Sequence, residues 1–489
     1  MSLGRPVFEL KNKKGQPFRP YQYMIVDEIV KTPKCAIWSF MGSGKTAATL
    51  TAIDRLLLSG AETKPVLVIA PLRVARDVWS GETQEWPHLE HLRVAPIIGS
   101  KQQRLDTLRR QAEIYTINFE NLTWLINTWG KSWPYGMIVV DESTKVKSLR
   151  ANIRTNPDGT SWVQGQGGER AKALLKATFE HKTTRFVELT GTPSPNGYQD
   201  LWGQYFFLDH GKRLGRVFEG FKQRWFTSSF DGFGMEPREN APEQIKAAVQ
   251  DITRSLKSSD WFDLKEVIVR EIRVELPAEA RRQYREMEKK LFTEIQGQPI
   301  EAFNAGARTM KCLQMASGAC YTGDPADKGP RKWVVSHEEK LDALEDIVEE
   351  TAGACLLVQY AFKSDLERIL KRFPKAVHFS QEKGIMERWN KGQIPMLVAH
   401  AASVGHGLSL QHGGSILVRF SSDWNGEQFD QMLERIGPVR QAQSGYERNV
   451  FEYRIIANKT IDEDVYTSHA TKRSVQDVLI EGMRRRLSQ

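Results

Sequence analysis

"MIVVDESTKVKS", Met137 to Ser148, is a run of four large apolar residues that stops at two adjacent carboxylates. A short apolar run bounded this way reads as a strand of a parallel sheet, where burial of both faces gives continuous rather than alternating apolar text. Asp141 and Glu142 then stand at its carboxyl end, the edge at which open α/β sheets bind ligands. Two acids that merely cap a strand and face water would look the same, so the pair takes its meaning from the rest of the chain.

Similar runs surround it. "CAIWSF" (35–40), "VLVIA" (66–70), "EIYTIN" (113–118) and "RFVELT" (185–190) alternate with helical or looped text, the pattern of a parallel sheet flanked by helices. A second series follows at "ACLLVQY" (354–360), "AVHFS" (376–380), "MLVAH" (396–400), "SILVRF" (415–420) and "EYRIIA" (452–457). The expected architecture is α/β, with parallel-sheet domains over 1–210 and 333–489 and a helical insertion and linker over 211–332. In that insertion Tyr284, Met287, Leu291 and Ile295 share one helix face and read as core packing. "NPDGTSWVQGQGGER" (156–170) reads as a mobile surface loop between two strands of the first domain. Ser336 and Glu339 form a capping box at the entry helix of the second domain, which carries Leu341, Leu344, Ile347 and Val348 on one side.

A chain of 489 residues is too long for one ordinary core. Its 69 Lys and Arg against 60 Asp and Glu leave a formal charge of +9, compatible with a polyanionic partner. Cys35, Cys312, Cys320 and Cys355 include no C-x-x-C pair, which argues against a zinc ribbon or a disulfide framework. No apolar stretch approaches the roughly 20 residues of a membrane span, and no signal-peptide core opens the chain. A soluble, cytoplasmic protein of a reducing compartment is expected.

The first strand runs directly into "MGSGKTAATLTAI" (41–53). Gly42 and Gly44 permit a tight loop through Ser43 whose backbone N–H groups face phosphate oxygens. Lys45 is long enough to reach the terminal phosphates, and Thr46 offers a hydroxyl to Mg²⁺. The helix formers that follow put a helix N-terminus at the anion. One departure is that Ser39 stands where the general phosphate-loop pattern has Gly. A phosphate loop on one strand and an acid pair on another make the two halves of an Mg-nucleotide site. Asp141 would hold the metal and Glu142 would orient and deprotonate the attacking water.

These pieces, with "FRPYQ" (18–22), "VLVIAPLRVARDVWSGETQEW" (66–86) and "LTGTPSPN" (189–196), resemble in order and spacing the first motor domain of superfamily-two helicases. "ASVGHGLSL" (402–410), "SSDWNGEQFDQMLERIGPVRQ" (421–441) and "YRIIANKTIDEDVY" (453–466) continue the likeness, and the whole resembles the Swi/Snf-type DNA translocases in a compact bacterial or phage form. The resemblance implies two RecA-like domains and ATP with Mg²⁺ as cofactors. It assigns adenine to Gln22 and the coupling of hydrolysis to motion to Thr190 and Thr192. It places Gly405, Gly407, Gln428 and Arg435 against the same ATP, with Arg435 as the arginine finger, a role worth about 10³ to 10⁵ in rate.

Two departures from the family matter. Met432 replaces the usual Arg three residues before the finger, which raises the question of whether Arg440 substitutes for it. The acid motif ends in Ser143 and Thr144, where Ala or Gly followed by His is usual. The resemblance further implies a nucleic-acid strand held mainly through phosphates, with Arg73, Asn118, Lys147 and Ser403 as candidate contacts and Trp424 near the groove. The leading expectation is an ATP-driven motor on double-stranded or branched DNA. Its rivals are a strand-separating or branch-migrating helicase, less readily one acting on RNA, and a nucleotide-gated DNA-binding subunit that recruits a nuclease or repair enzyme.

Overall fold

The computed structural model describes residues 9–155, 161–180, 183–194, 197–228, 235–297, 302–322, 332–379, 384–404 and 408–471. They form two compact units that divide at Trp261 and Phe262. No helix among them is long and apolar enough to cross a membrane.

In the first unit the strands are β1 (Lys34–Ser39), β2 (Val66–Ala70), β3 (Val94–Pro96), β4 (Ile114–Asn118), β5 (Met137–Asp141), β6 (Arg150–Thr155), β7 (Ser161–Gln166), β8 (Arg185–Thr190), β9 (Phe226–Ser228), β10 (Met235–Pro237) and β11 (Thr253–Leu256). Seven make one parallel sheet in the order β11-β1-β8-β5-β2-β4-β3. Every residue of β2, β4 and β5 is buried, as their largely apolar text requires, with Thr116, Asn118 and Asp141 as the buried polar exceptions. Leu67, Ile69, Ile138, Val140 and Phe186 join one core cluster with Trp202 and Phe206 of the Asp200–Asp209 helix.

The second unit holds β12 (Ile268–Val274), β13 (Ala319–Tyr321), β14 (Trp333–Val335), β15 (Leu356–Tyr360), β16 (Ala376–His378), β17 (Met396–His400), β18 (Ile416–Arg419) and β19 (Phe451–Ala457). Its sheet is also parallel, ordered β12-β19-β18-β15-β17-β16. Val358, Val398, Val418 and Ile455 pack there with Leu341, Leu344 and Ile347 of the Glu339–Glu350 helix, and Val348 lies against them.

The stretch 211–332 is shared between the units. β11 forms an edge of the first sheet, while β12 and the Ala278–Gly297 and Ala302–Ser317 helices belong to the second unit. Tyr284 is fully buried and its hydroxyl accepts the backbone N–H of Ile461 at 2.7 Å, with Met287 against the same core. The side chains of Leu291 and Ile295 lie outside the described residues.

Two local expectations are corrected. The stretch read as a loop over 156–170 contains β7, which pairs antiparallel with β6 from Arg150↔Gln166 to Thr155↔Ser161. Ser161, Trp162 and Val163 supply β-favouring text that the surrounding glycines obscure. The capping box is absent as well. The helix starts at Glu339 behind Glu338, which makes no side-chain cap, and the Ser336 hydroxyl is buried without a hydrogen-bond partner.

Candidate functional site

The strand order decides what meets at the carboxyl edge of the first sheet. β8 lies between β1 and β5, so the end of the strand carrying Thr190 separates the phosphate loop from the acid pair. Trp38 pairs in register with Thr190, and Asp141 with Leu189. Three segments far apart in sequence thus end side by side.

Gly42 and Gly44 adopt φ of +78° and +72°, the left-handed region that glycine reaches without cost. Gly44 caps the Lys45–Leu58 helix, whose first N–H groups have no intrahelical acceptor. A Cβ on Gly44 would lie 2.2 Å from Gln22 Nε2, so the loop and Gln22 are packed in contact. Gln22 is itself tied down. Its Oε1 accepts from Arg19 N at 2.7 Å, and its Nε2 donates to the Gly44 carbonyl at 3.3 Å. Lys45 Nζ donates to the Ser39 carbonyl at 3.1 Å. Ser39 is not among the described non-glycine residues with positive φ, so this backbone has no need of the usual glycine.

Asp141 and Glu142 are both buried. The indole Nε1–H of Trp79 donates to Asp141 Oδ2 at 3.3 Å. Glu142 sits at φ +62°, ψ +61°, a left-handed conformation that costs a non-glycine residue energy and clusters at functional sites. It opens a tight turn, Ser143–Val146, in which Lys145 N donates to the Glu142 carbonyl at 3.0 Å. At the end of β8, Thr190 Oγ1 accepts the backbone N–H of Thr192 at 3.1 Å.

Four hydroxyls at this edge, Ser39 Oγ, Ser43 Oγ, Thr144 Oγ1 and Thr192 Oγ1, are buried without a hydrogen-bond partner. Buried polar groups are rarely left so, and their clustering at the ends of β1, β5 and β8 fits a site that receives a polar ligand. The donor set fits a hard cation carried by a nucleotide, since one carboxylate (Asp141) and one hydroxyl (Thr46) are typical of Mg²⁺ bound mainly through phosphates and water. No group of three or more His, Cys, Asp or Glu that could hold a metal occurs among the described residues. Glu188, two residues before Thr190, is fully buried, with Oε1 unpartnered. Desolvation pushes its carboxyl well above the usual range.

In the second unit, Gln428 is half-buried in the first turn of the Gly426–Glu434 helix, where Asn425 Oδ1 accepts its backbone N–H at 3.1 Å. Arg435 is buried at the end of that helix, and Arg440 lies in the Pro438–Gln443 helix. Met432 is 1% exposed and packs with Trp389, Leu410, Leu417 and Ile436, so the position of the absent Arg points into an apolar core. Gly405 and Gly407 lie outside the described residues.

The candidate nucleic-acid contacts are mostly engaged. Lys147 pairs with Asp200 at 3.0 Å. Asn118 donates to Glu120 at 2.8 Å and accepts from Asn121 at 2.6 Å, and Ser403 Oγ donates to the His400 carbonyl at 2.7 Å. Arg73 Nη1 has no partner, and Trp424 packs against the second core with its Nε1 unpartnered. Sequence reasoning missed Trp79 and Gln204, whose side chains reach Asp141 and Ser143.

A glycine-rich loop and an acid pair at one edge of a parallel sheet have the arrangement of a nucleotide site. A family model described as an SNF2-related domain matches residues 23–157. The p41 protein of Acyrthosiphon pisum secondary endosymbiont phage 1 is 48% identical over 479 residues, covering 96% of this chain and 99% of that protein. An uncharacterized ATP-dependent helicase of Mycoplasma pneumoniae is 24% identical across 90% of this chain, which spans only 40% of that protein's length. A solved Sulfolobus solfataricus SWI2/SNF2 ATPase core in complex with dsDNA aligns at 22% identity and a TM-score of 0.43, covering 99% of this chain and 96% of its own. The chain belongs to the SNF2-related family. That membership makes it, by class, a DNA-dependent ATPase.

Proposed function

We propose that the protein hydrolyses Mg-ATP and uses the cycle to translocate along double-stranded DNA, as a compact bacterial or phage enzyme of the cytoplasm. The observation that carries this reading is the convergence of Gly42–Thr46, Thr190 and Asp141–Glu142 on three adjacent parallel strands.

On this reading the backbone of Gly42–Gly44 and the helix N-terminus cradle the phosphates, and Lys45 leaves the Ser39 carbonyl for the terminal phosphate. Gln22, held against Gly44, registers the base. Thr46 and Asp141 are the residues that would hold Mg²⁺, with Trp79 fixing the carboxylate's orientation. The metal, when bound, offsets charge on the β- and γ-phosphates. Glu142 accepts a proton from the water that attacks the γ-phosphorus while ADP leaves. Arg435 is the proposed arginine finger, with Gln428, Gly405 and Gly407 as further proposed nucleotide-binding residues. Thr190 and Thr192 link the occupied site to movement.

DNA as the track is supported by family membership, and the +9 charge is compatible with it. Arg73 has a buried guanidinium nitrogen without a partner that must turn outward to meet a phosphate, and Lys147 must first leave Asp200. Met432 in the apolar core favours a second reading, a weakly hydrolytic subunit that recruits a nuclease or repair enzyme.

Steady-state ATP hydrolysis at low salt separates these readings, with no nucleic acid, single strand, blunt duplex, fork and RNA in parallel and Glu142→Gln as the blank. Stimulation by blunt duplex supports the translocase. Stimulation only by fork or single strand moves the reading to a helicase, and stimulation by none moves it to the recruiting subunit.

A further inference from the structure

Gln204 is 1% exposed in the second turn of the Asp200–Asp209 helix, and its amide is fully used. Its Nε2 donates to the carbonyls of Pro193 at 2.7 Å and Asp200 at 3.0 Å, and its Oε1 accepts from Ser143 Oγ at 2.7 Å. Both carbonyls can only accept, so the NH₂ group must face them and the oxygen must face the Ser143 hydroxyl. Ser143 directly follows the acid pair, and Pro193 directly follows Thr190-Gly191-Thr192. One side chain therefore ties the turn after Glu142 to the segment after β8.

The same helix grips that turn at two further points. Asp200 holds Lys147 at 3.0 Å. Gly203 lets the helix approach so closely that a Cβ there would lie 2.5 Å from the Lys147 carbonyl oxygen. Residues 200, 203 and 204 share one helix face, so the contacts form a continuous clamp. A buried polar link that is fully satisfied rigidifies and specifies its surroundings. Ser143 is one of the two places where the acid motif departs from its family, and its hydroxyl is the group that reaches Gln204.

Resting on the reading of Asp141 and Glu142 as the hydrolytic carboxylates, we propose that Gln204 is a positioning residue that, through Ser143, couples movement of the Thr190–Pro193 segment to the placement of Glu142. A change of backbone at Thr190–Pro193 pulls on a donor whose acceptor oxygen is committed to Ser143. The turn that holds Glu142 in its left-handed conformation follows.

The test measures ATP hydrolysis with and without blunt duplex for wild type, Ser143→Ala, Gln204→Leu and the double variant, with thermal unfolding in parallel. Each single variant is expected to lower the duplex-stimulated kcat by about 2- to 30-fold, the range carried by coupling residues. The KM for ATP should hold, and the double variant should fall no further than the worse single one, because both remove the same link. A purely structural role would shift the unfolding temperature and leave the ratio of stimulated to unstimulated kcat at the wild-type value, and that result overturns the inference. If Gln204→Leu does not fold, Ser143→Ala decides, because it leaves both carbonyl bonds of Gln204 in place. A wild type unresponsive to every nucleic acid would overturn the proposed function and this inference with it. A responsive wild type with unchanged ratios in the variants overturns the inference alone.

Discussion

Trp79 and Asp141, 62 residues apart in sequence, meet through an indole N–H that donates to the carboxylate at 3.3 Å, with both side chains buried. The bond fixes the orientation of the carboxylate at the end of β5. Trp79→Phe keeps an aromatic ring in the core and removes only the donor. The expected loss is about 1.5–3 kcal/mol in unfolding free energy, the usual worth of a hydrogen bond to a charged group, with a raised KM for Mg-ATP. Denaturant titration and initial-rate kinetics check both, and an unchanged KM would show that Asp141 needs no such support.

Glu142 occupies a left-handed backbone conformation that glycine adopts freely. Glu142→Gly should therefore stabilise the fold by about 1 kcal/mol after the entropy cost of glycine is included. Hydrolysis should fall by about 10²- to 10⁴-fold, the usual worth of a general base. Glu142→Gln should lose hydrolysis without the gain in stability. Equal stability of the two variants would mean that the backbone at 142 is not strained.

Glu188 gives a pH signature. Burial raises its folded-state carboxyl well above 4.5, so the folded chain prefers the neutral acid. The stability this preference contributes is fully present below the unfolded-state value and is lost as pH rises through the folded-state value. Glu188→Gln removes that titration. The variant should be close to wild type near pH 5 and more stable than wild type at pH 8, by denaturant unfolding at each pH. A stability difference that does not widen with pH would contradict the burial argument.

Met432 packs among Trp389, Leu410, Leu417 and Ile436. Restoring the family's arginine there with Met432→Arg should not raise ATP turnover. It should cost about 3–5 kcal/mol of stability, because the charge would be buried without a partner. A more active and equally stable variant would show that position 432 can turn toward the nucleotide.

The legible parts of this fold are those whose physics is local. β1, β2, β4, β5 and β8 announce themselves because burial of both faces demands short, mainly apolar runs, and Gly42 and Gly44 because glycine suits the loop's left-handed backbone. The edge strands β11 ("TRSL") and β12 ("IVREIRV") were not legible. An edge strand in contact with solvent tolerates charge, and β12 is largely exposed. Ser336 shows the converse failure, a local capping pattern overridden by tertiary packing. Trp79 and Gln204 carried no sequence signal. Each resembles an ordinary core or helix residue until the sheet brings the acid motif beside it.

On the proposed function, hydrolysis at Asp141 and Glu142 drives movement along duplex DNA. Displacement of a triplex-forming strand from blunt duplex, with ATP and wild-type protein, tests it most directly, with Lys45→Ala as the control. Wild type is expected to displace the third strand when ATP is present, and Lys45→Ala is expected to displace none. Duplex-stimulated hydrolysis by wild type without displacement of the third strand would contradict translocation.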